Sequence, residues 1–141
     1  MTEQVFLDVN IFMYAAGTPH PYKDACVRIL SRVEIGTLAA AIDTEVLQEV
    51  LYRYSAIGLP EKGIQLCRDI LAYPILVMAV GAADIRLAID LYDTHRAAGL
   101  KPRDAIHAAT MRNNGMARLI SADRDFDHLT DVTRIDPLAF A

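Results

Sequence analysis

The sequence predicts an α/β domain in three layers, a parallel sheet of four or five strands between two layers of helices, with strand order 3-2-1-4-5. Three observations carry this. Short apolar runs alternate along the chain with stretches of helical periodicity, the pattern of successive strand–helix units. The first apolar run, Val5-Phe6-Leu7, stops at an acid, Asp8, whose charge cannot stay in a core and so marks the strand's end. The chain of 141 residues is of single-domain length, 1–141, and suffices to bury about 68% of the surface its unfolded form exposes, with no disulfide or metal needed for folding.

The first strand, near the N-terminus, runs into Asp8-Val9-Asn10, where Asn10 is placed to hydrogen-bond back and hold the carboxylate; an Asx-turn alone also accounts for this pair. Gly17-Thr18-Pro19-His20-Pro21 is a turn cluster. From Tyr22 to about Glu34, Ala25, Cys26, Ile29, Leu30 and Val33 recur at helical spacing, and Gly36 suits the helix C-terminus. Leu38 to Ile42 reads as a second buried strand. Asp43 or Thr44 caps the next helix, which is expected to turn Val46, Leu47, Val50, Leu51 and Tyr54 inward and Glu45, Gln48, Glu49 and Arg53 outward.

Gly58-Leu59-Pro60 breaks the chain and starts a helix to about Ala72 through Ile64, Cys67, Ile70 and Leu71. Ile75 to Val80 is a third strand by length and apolar content. The helix from Ala83 to about Ala98 is expected to place Ile85, Ala88, Ile89 and Tyr92 inward, with Asp90, Asp93 and Arg96 in solvent. Pro102 opens another helix that Gly115 closes. Ala117 to Ser121 is a fourth strand, Val132 to Ile135 a fifth, and Asp136-Pro137 ends it. With strands two and three on one side of the first and four and five on the other, Asp8 and Asp123 end adjacent strands, at the switch point where ligands of open parallel sheets bind.

Composition narrows the setting. A chain 53% hydrophobic and 23% charged is globular rather than disordered. Cys26 and Cys67 sit in apolar helical patterns without metal-ligand spacing, so both read as core thiols, which suits a reducing cytoplasm. Neither a secretion leader nor an apolar run approaching ~20 residues is present, so a cytoplasmic protein with no membrane partner is expected. A net charge of −4 argues against nucleic acid as a ligand unless the excess acid is gathered in a cation site. Eleven of the fourteen basic residues are Arg, the side chain better suited to bidentate phosphate contact, and Lys101, Arg103, Arg112 and Arg124 lie near the later acids.

Several acids compete for a role. Glu45 lies in a helix's first turn, where the dipole alone explains it. Glu49 has no such benefit; it is spaced to pair with Arg53 at i,i+4 but shares a stripe with Glu45, where two like charges need something positive nearby. Asp104 also has a dipole explanation, yet its neighbours are nearly all small or apolar, an unusual place for a solvated acid. His107, one turn on, is close enough to orient that carboxylate, or is a satisfied core histidine.

Four segments, Asp8-Val9-Asn10-Ile11-Phe12, Thr44 to Val50, Pro102 to Ala109 and Ser121 to Asp127, in this order, resemble a PIN-domain ribonuclease, similar to the VapC-type toxins of toxin–antitoxin pairs. The resemblance spans Phe6 to Pro137. It implies the PIN-like fold, RNA as substrate, products with a 5′-phosphate and a 3′-hydroxyl, a cognate antitoxin and a homodimer. It also implies an acidic cluster that binds magnesium (Mg2+) or manganese (Mn2+). Carried over, the cluster is Asp8, Glu49, Asp104 and Asp123, with Asp8 and Asp104 as direct metal ligands and Asp125 a rival for the fourth position. Oxygen ligands from separate elements suit a hard divalent cation and leave positions for water and a phosphate oxygen.

Two other classes share the pattern of acids at strand ends. A magnesium-dependent phosphoacceptor or aspartate-nucleophile phosphatase is one, although the latter usually offers a second Asp where Asn10 stands. A non-catalytic PIN-like interaction module is the other.

Overall fold

The structure is a computed structural model that describes residues 4–140. Its centre is a sheet of five parallel strands in the order β3-β2-β1-β4-β5, flanked by helices: β1 (Val5–Leu7), β2 (Ala40–Asp43), β3 (Leu76–Met78), β4 (Arg118–Ile120) and β5 (Thr133–Ile135). This is the expected order. Val5 pairs with Ala40 on one side of β1, and Phe6 with Leu119 on the other. β1 is fully buried, as a central parallel strand covered on both faces must be. The edge strands β3 and β5 are partly exposed, and only Leu76 to Met78 of the expected third strand pair.

Among the described residues, six α-helices connect the strands and a seventh follows the last: α1 (Val9–Ala16), α2 (Lys23–Glu34), α3 (Thr44–Ala56), α4 (Pro60–Ala72), α5 (Ala82–His95), α6 (Pro102–Asn113) and α7 (Pro137–Phe140). α1 is absent from the sequence expectation. Asp8 ends the strand, but the residues after it, Val9, Ile11 and Phe12, are β-branched or aromatic, so propensity does not announce a helix there. Burial of Val9, Ile11 and Phe12 decides for helix, and Asp8 caps it by accepting from the Val9 N–H at 2.8 Å. α7 is likewise unexpected; Pro137 begins a short turn that packs on α2, with Arg32 over the Phe140 ring.

Three expected helix faces are corrected. In α3 Glu49 points inward beside Val46, Val50 and Tyr54, whereas Leu51 is exposed. In α4 the inward residues are Gly63 and Ile70, with Ile64 and Leu71 outside. In α5 Ala88 and Asp84 are buried, while Ile85, Ile89 and Tyr92 stand in solvent and form, with Pro102 and Ile106, an apolar hollow. Packing set these choices: α3 lies against α4 and α5 against α6, so each helix is covered along one narrow line rather than a full apolar face. Cys26 is fully buried, and Cys67 is half-buried with its thiol toward the Leu47 carbonyl. Among the described residues no helix is long and apolar enough to cross a membrane.

Candidate functional site

The C-terminal ends of β1, β2 and β4 lie side by side, and each ends in a polar residue that the strand's apolar run could not hold: Asp8, Asp43 and Ser121. Asp8 is 3% exposed and heavily held. Its Oδ1 accepts from the Val9 N–H, and its Oδ2 accepts from the Ser121 hydroxyl at 2.6 Å and from the Asn10 side-chain amide at 3.2 Å. Ser121 thereby ties β4 to β1, and its Oγ also accepts the Asp123 N–H at 3.0 Å. Asp123 accepts the Asp125 N–H at 2.9 Å, which starts a 3-10 turn at Arg124–His128. This chain of bonds fixes the two later acids relative to Asp8.

Asp104 enters from α6, in its first turn, 2% exposed. Oxygens of Asp104, Asp123 and Asp125 all lie within 4.8 Å of one another, the one such acidic group among the described residues that is spaced for a cation. Burial, with Asp8 and Asp123 nearby, pushes the Asp104 carboxyl up to about 7. Burial also raises Asp8 above the usual carboxylate range, against the pull of His107. Lys101 is the counter-charge present, its Nζ 3.3 Å from Asp125 and 3.6 Å from Asp123. Both candidates for the fourth position thus meet Asp104, and the spacing does not choose between them.

Glu49 lies deeper than its expected outward position. Arg103 approaches its Oε1 and Arg53 its Oε2, each at 3.1 Å, but without hydrogen-bond alignment, so both carboxylate oxygens stay buried and unsatisfied. Glu45 is half-buried in the same hollow between α3 and the start of α6, its carboxyl raised mainly by burial.

His107 takes a place that sequence alone does not give it. It faces Asp43, not Asp104: Nδ1–H donates to the Asp43 Oδ2 at 2.8 Å, and Nε2 stands 4.0 Å from Asp8 and 3.9 Å from Glu49. Burial opposes a proton on this ring, yet the Asp43, Glu49 and Asp8 carboxylates outweigh it and lift the imidazole well above its ordinary range. That arrangement favours a positive charge on the ring, beneath the acids. Asp43 and Ser121 are the residues that sequence reading misses. Asp43 repeats the signal of Asp8, an apolar run ending in an acid, but helix capping explains it and hides its second role; its Oδ1 does accept the Val46 N–H.

Among the buried atoms of these residues, Oδ2 of Asp104 and Nε2 of His107 have no hydrogen-bond partner, and the two Glu49 oxygens have none beyond their ion pairs with Arg53 and Arg103. Buried polar atoms are rarely left so unless a ligand completes them. The donors on offer are carboxylate oxygens from four elements, the set that a hard divalent cation prefers.

Comparison with known proteins adds a family to this geometry. The model of the PIN domain family matches residues 5–132. A VapC ribonuclease of Mycobacterium bovis is 35% identical over 132 residues, covering 93% of this chain and 98% of that protein. Ribonuclease VapC7 of Mycobacterium tuberculosis is 28% identical, covering 94% and 91%. Among solved structures, the Mycobacterium tuberculosis VapC20 toxin, titled a sarcin-ricin loop cleaving toxin, superposes with a TM-score of 0.76 at 17% identity, over 89% of this chain and 95% of that one. VapBC2 from Rickettsia felis, bound to a promoter DNA fragment, gives 0.72 at 18% identity, over 94% and 98%.

Proposed function

Since this chain belongs to the PIN domain family, we propose that it is a divalent-cation-dependent ribonuclease and the toxin of a toxin–antitoxin pair, with Asp8, Glu49, Asp104 and Asp123 as its acidic site. The observation that carries this reading is the convergence of Asp104, Asp123 and Asp125 within 4.8 Å beside buried, unsatisfied oxygens of Asp104 and Glu49. Asp104 and Asp8 would hold Mg2+ or Mn2+, with Asp123 or Asp125 completing the set. When bound, such an ion supplies positive charge to a phosphodiester oxygen and makes water a stronger acid.

The chain's own residues do the rest. The acids orient and deprotonate the attacking water, and they repel a phosphate unless a cation stands between, so hydrolysis is coupled to cation loading. Ser121 and Asn10 hold the Asp8 carboxylate in one orientation. His107, fixed by Asp43, balances Asp8 and Glu49 from below. Arg53 and Arg103, about a third exposed, present guanidinium edges at the rim for RNA phosphates.

A phosphoacceptor or aspartate-nucleophile phosphatase reading fits less well, because the latter usually offers a second acid where Asn10 stands, and Asn10 here donates to Asp8. A cognate antitoxin and a homodimer are part of the same reading. The curated relatives bear the VapC name, and the exposed Ile85, Ile89 and Tyr92 stripe of α5 offers apolar surface for a second copy.

The test is cleavage of labelled RNA by the purified protein. Activity is expected with Mg2+ or Mn2+, none with excess chelator, and a loss of at least about 100-fold in Asp104→Asn and Asp8→Asn, on the scale of removing one preorganised group. Wild-type turnover in both variants, or stable phosphorylation by acetyl phosphate, would overturn it.

A further inference from the structure

Beside the acidic site, between α1 and the loop that leads into α2, lies a hollow of about 270 Å3 lined by Asn10, Met13, Tyr14, Thr18, His20 and Arg53. We propose that it is a subsite for one unstacked base of a single-stranded RNA whose neighbouring phosphate lies at the acids; this rests on the ribonuclease reading and goes beyond it by naming where the substrate is gripped.

The hollow's wall is aromatic. Tyr14 stacks on His20 with ring centroids 4.3 Å apart and planes 22° from parallel, and on Tyr22 at 5.3 Å and 20°. His20 and Tyr22 are themselves within 19° of parallel at 5.7 Å. Three rings so aligned form a parallel stack rather than the tilted packing usual in cores, and a further flat ring can add to its outer face. The surface is held rigidly. The Tyr22 hydroxyl donates to Asp136 at 3.0 Å, and the Tyr22 N–H donates to His20 Nδ1 at 3.1 Å, which fixes the imidazole plane and leaves its Nε2 as the donor edge. The Lys23 ammonium, donating to the Gly17 carbonyl, closes the loop that carries His20. His20 itself is exposed and contributes nothing to the core, so this ordering serves no evident packing need.

Two lining residues connect the hollow to the acids. Asn10 borders it and donates to Asp8 Oδ2. Arg53 borders it and pairs with Glu49. A base laid on the Tyr14–His20 wall therefore has its ribose-phosphate next to residues that touch two of the four acids. The wall is a stack of aromatic rings, its rim holds a guanidinium and two amide or hydroxyl groups, and the hollow falls below the ~300 Å3 of drug-sized clefts. A single heterocycle with an adjacent phosphate matches that chemistry. Base–aromatic stacking with a basic rim is how proteins grip single-stranded RNA.

The experiment uses the full chain. The segment that wild type cleaves in total RNA with Mg2+ is made as a short labelled oligonucleotide, together with copies carrying one abasic ribose at each position around the cut. Binding is measured on the Asp104→Asn protein with and without His20→Ala, His20→Phe or Tyr14→Ala. One flanking abasic position is expected to weaken binding about tenfold, the size of one base–aromatic stack. His20→Ala and Tyr14→Ala weaken the intact RNA by a similar factor, His20→Phe restores binding, and in His20→Ala that abasic position costs nothing more. A merely structural role for His20 would not produce this loss of additivity at one nucleotide. If His20→Ala binds intact RNA as tightly as its parent, or if the two losses multiply, the subsite is wrong and the ribonuclease reading stands. If wild type cleaves no RNA with either cation, both are wrong.

Discussion

At the scale of single residues, the molecule keeps charged groups where water does not reach and makes each depend on a neighbour. Asp43 and His107 are both fully buried and 64 residues apart in the chain, joined by one 2.8 Å contact. Asp43→Asn keeps an oxygen for the Val46 cap but removes the charge, and it should destabilise the fold by about 3–5 kcal/mol, the cost of leaving one member of a buried pair alone. Urea denaturation measures this; a change under 1 kcal/mol would show that the imidazolium does not need Asp43. Glu49→Gln should impair RNA cleavage far more than Glu45→Gln, whose loss is limited to a dipole contribution of roughly 0.3–1 kcal/mol in stability. Steady-state rates of the two variants decide it, and equal losses would remove the distinction. The acids at element starts and ends were legible in the sequence because a charge cannot sit inside an apolar run. Their partners were not: a pairing such as Asp43 with His107 leaves no local trace, and Ser121 has the look of any residue that ends a strand.

At the scale of elements, the strands and their order were readable because buried parallel strands are nearly continuous apolar runs. The helix faces were less so. Charges are assigned outward by default, which is right for Asp90 and Asp93 and wrong for Glu49. Asp8 disclosed the end of β1, but that a helix follows is set by tertiary burial, which Val9, Ile11 and Phe12 do not disclose. One interface does carry a sequence mark in Gly63, where α4 crosses α3. A Cβ there would stand 2.8 Å from the Cβ of Tyr54 and 3.4 Å from the Val50 carbonyl oxygen, atoms with little freedom to yield. Gly63→Ala should therefore lower stability by about 1–2 kcal/mol, overpacking exceeding the gain in helix propensity. Thermal unfolding checks this, and a stabilised variant would mean that the two helices separate easily. Because α3 carries Glu49, a shift of α4 also reaches the site.

At the scale of the whole molecule, the clustered acids make stability depend on pH. Asp104, near 7 in the fold and 3.8 as its ordinary value, binds a proton more tightly folded than unfolded between those limits. Stability must then fall as pH rises through that window. His107, raised in the fold, acts in the same sense: its contribution is complete below its ordinary 6.5 and is lost as pH climbs through the elevated folded value. Cation-free protein should accordingly melt at lower temperature at pH 8 than at pH 5.5, and Asp104→Asn should regain on the order of 2–4 kcal/mol at pH 8. Mg2+ should stabilise most at pH 8 and least below pH 6, where protons compete for Asp104. Calorimetry across pH, with and without the cation, reads all three, and a melting temperature that rises with pH would contradict the assignment. The sheet's order has a further consequence, for timing. Strand β1 precedes its flanking partner β4 by more than a hundred residues, and Ser121 reaches back across 113 residues to hold Asp8. During synthesis the elements nearer the N-terminus emerge and pack first, but the crevice cannot be assembled until β4 and Ser121 have left the ribosome. A nascent chain that has not yet exposed Ser121 therefore lacks the bond that orients Asp8, and any RNA cleavage that depends on Asp8 should begin only after β4 has docked.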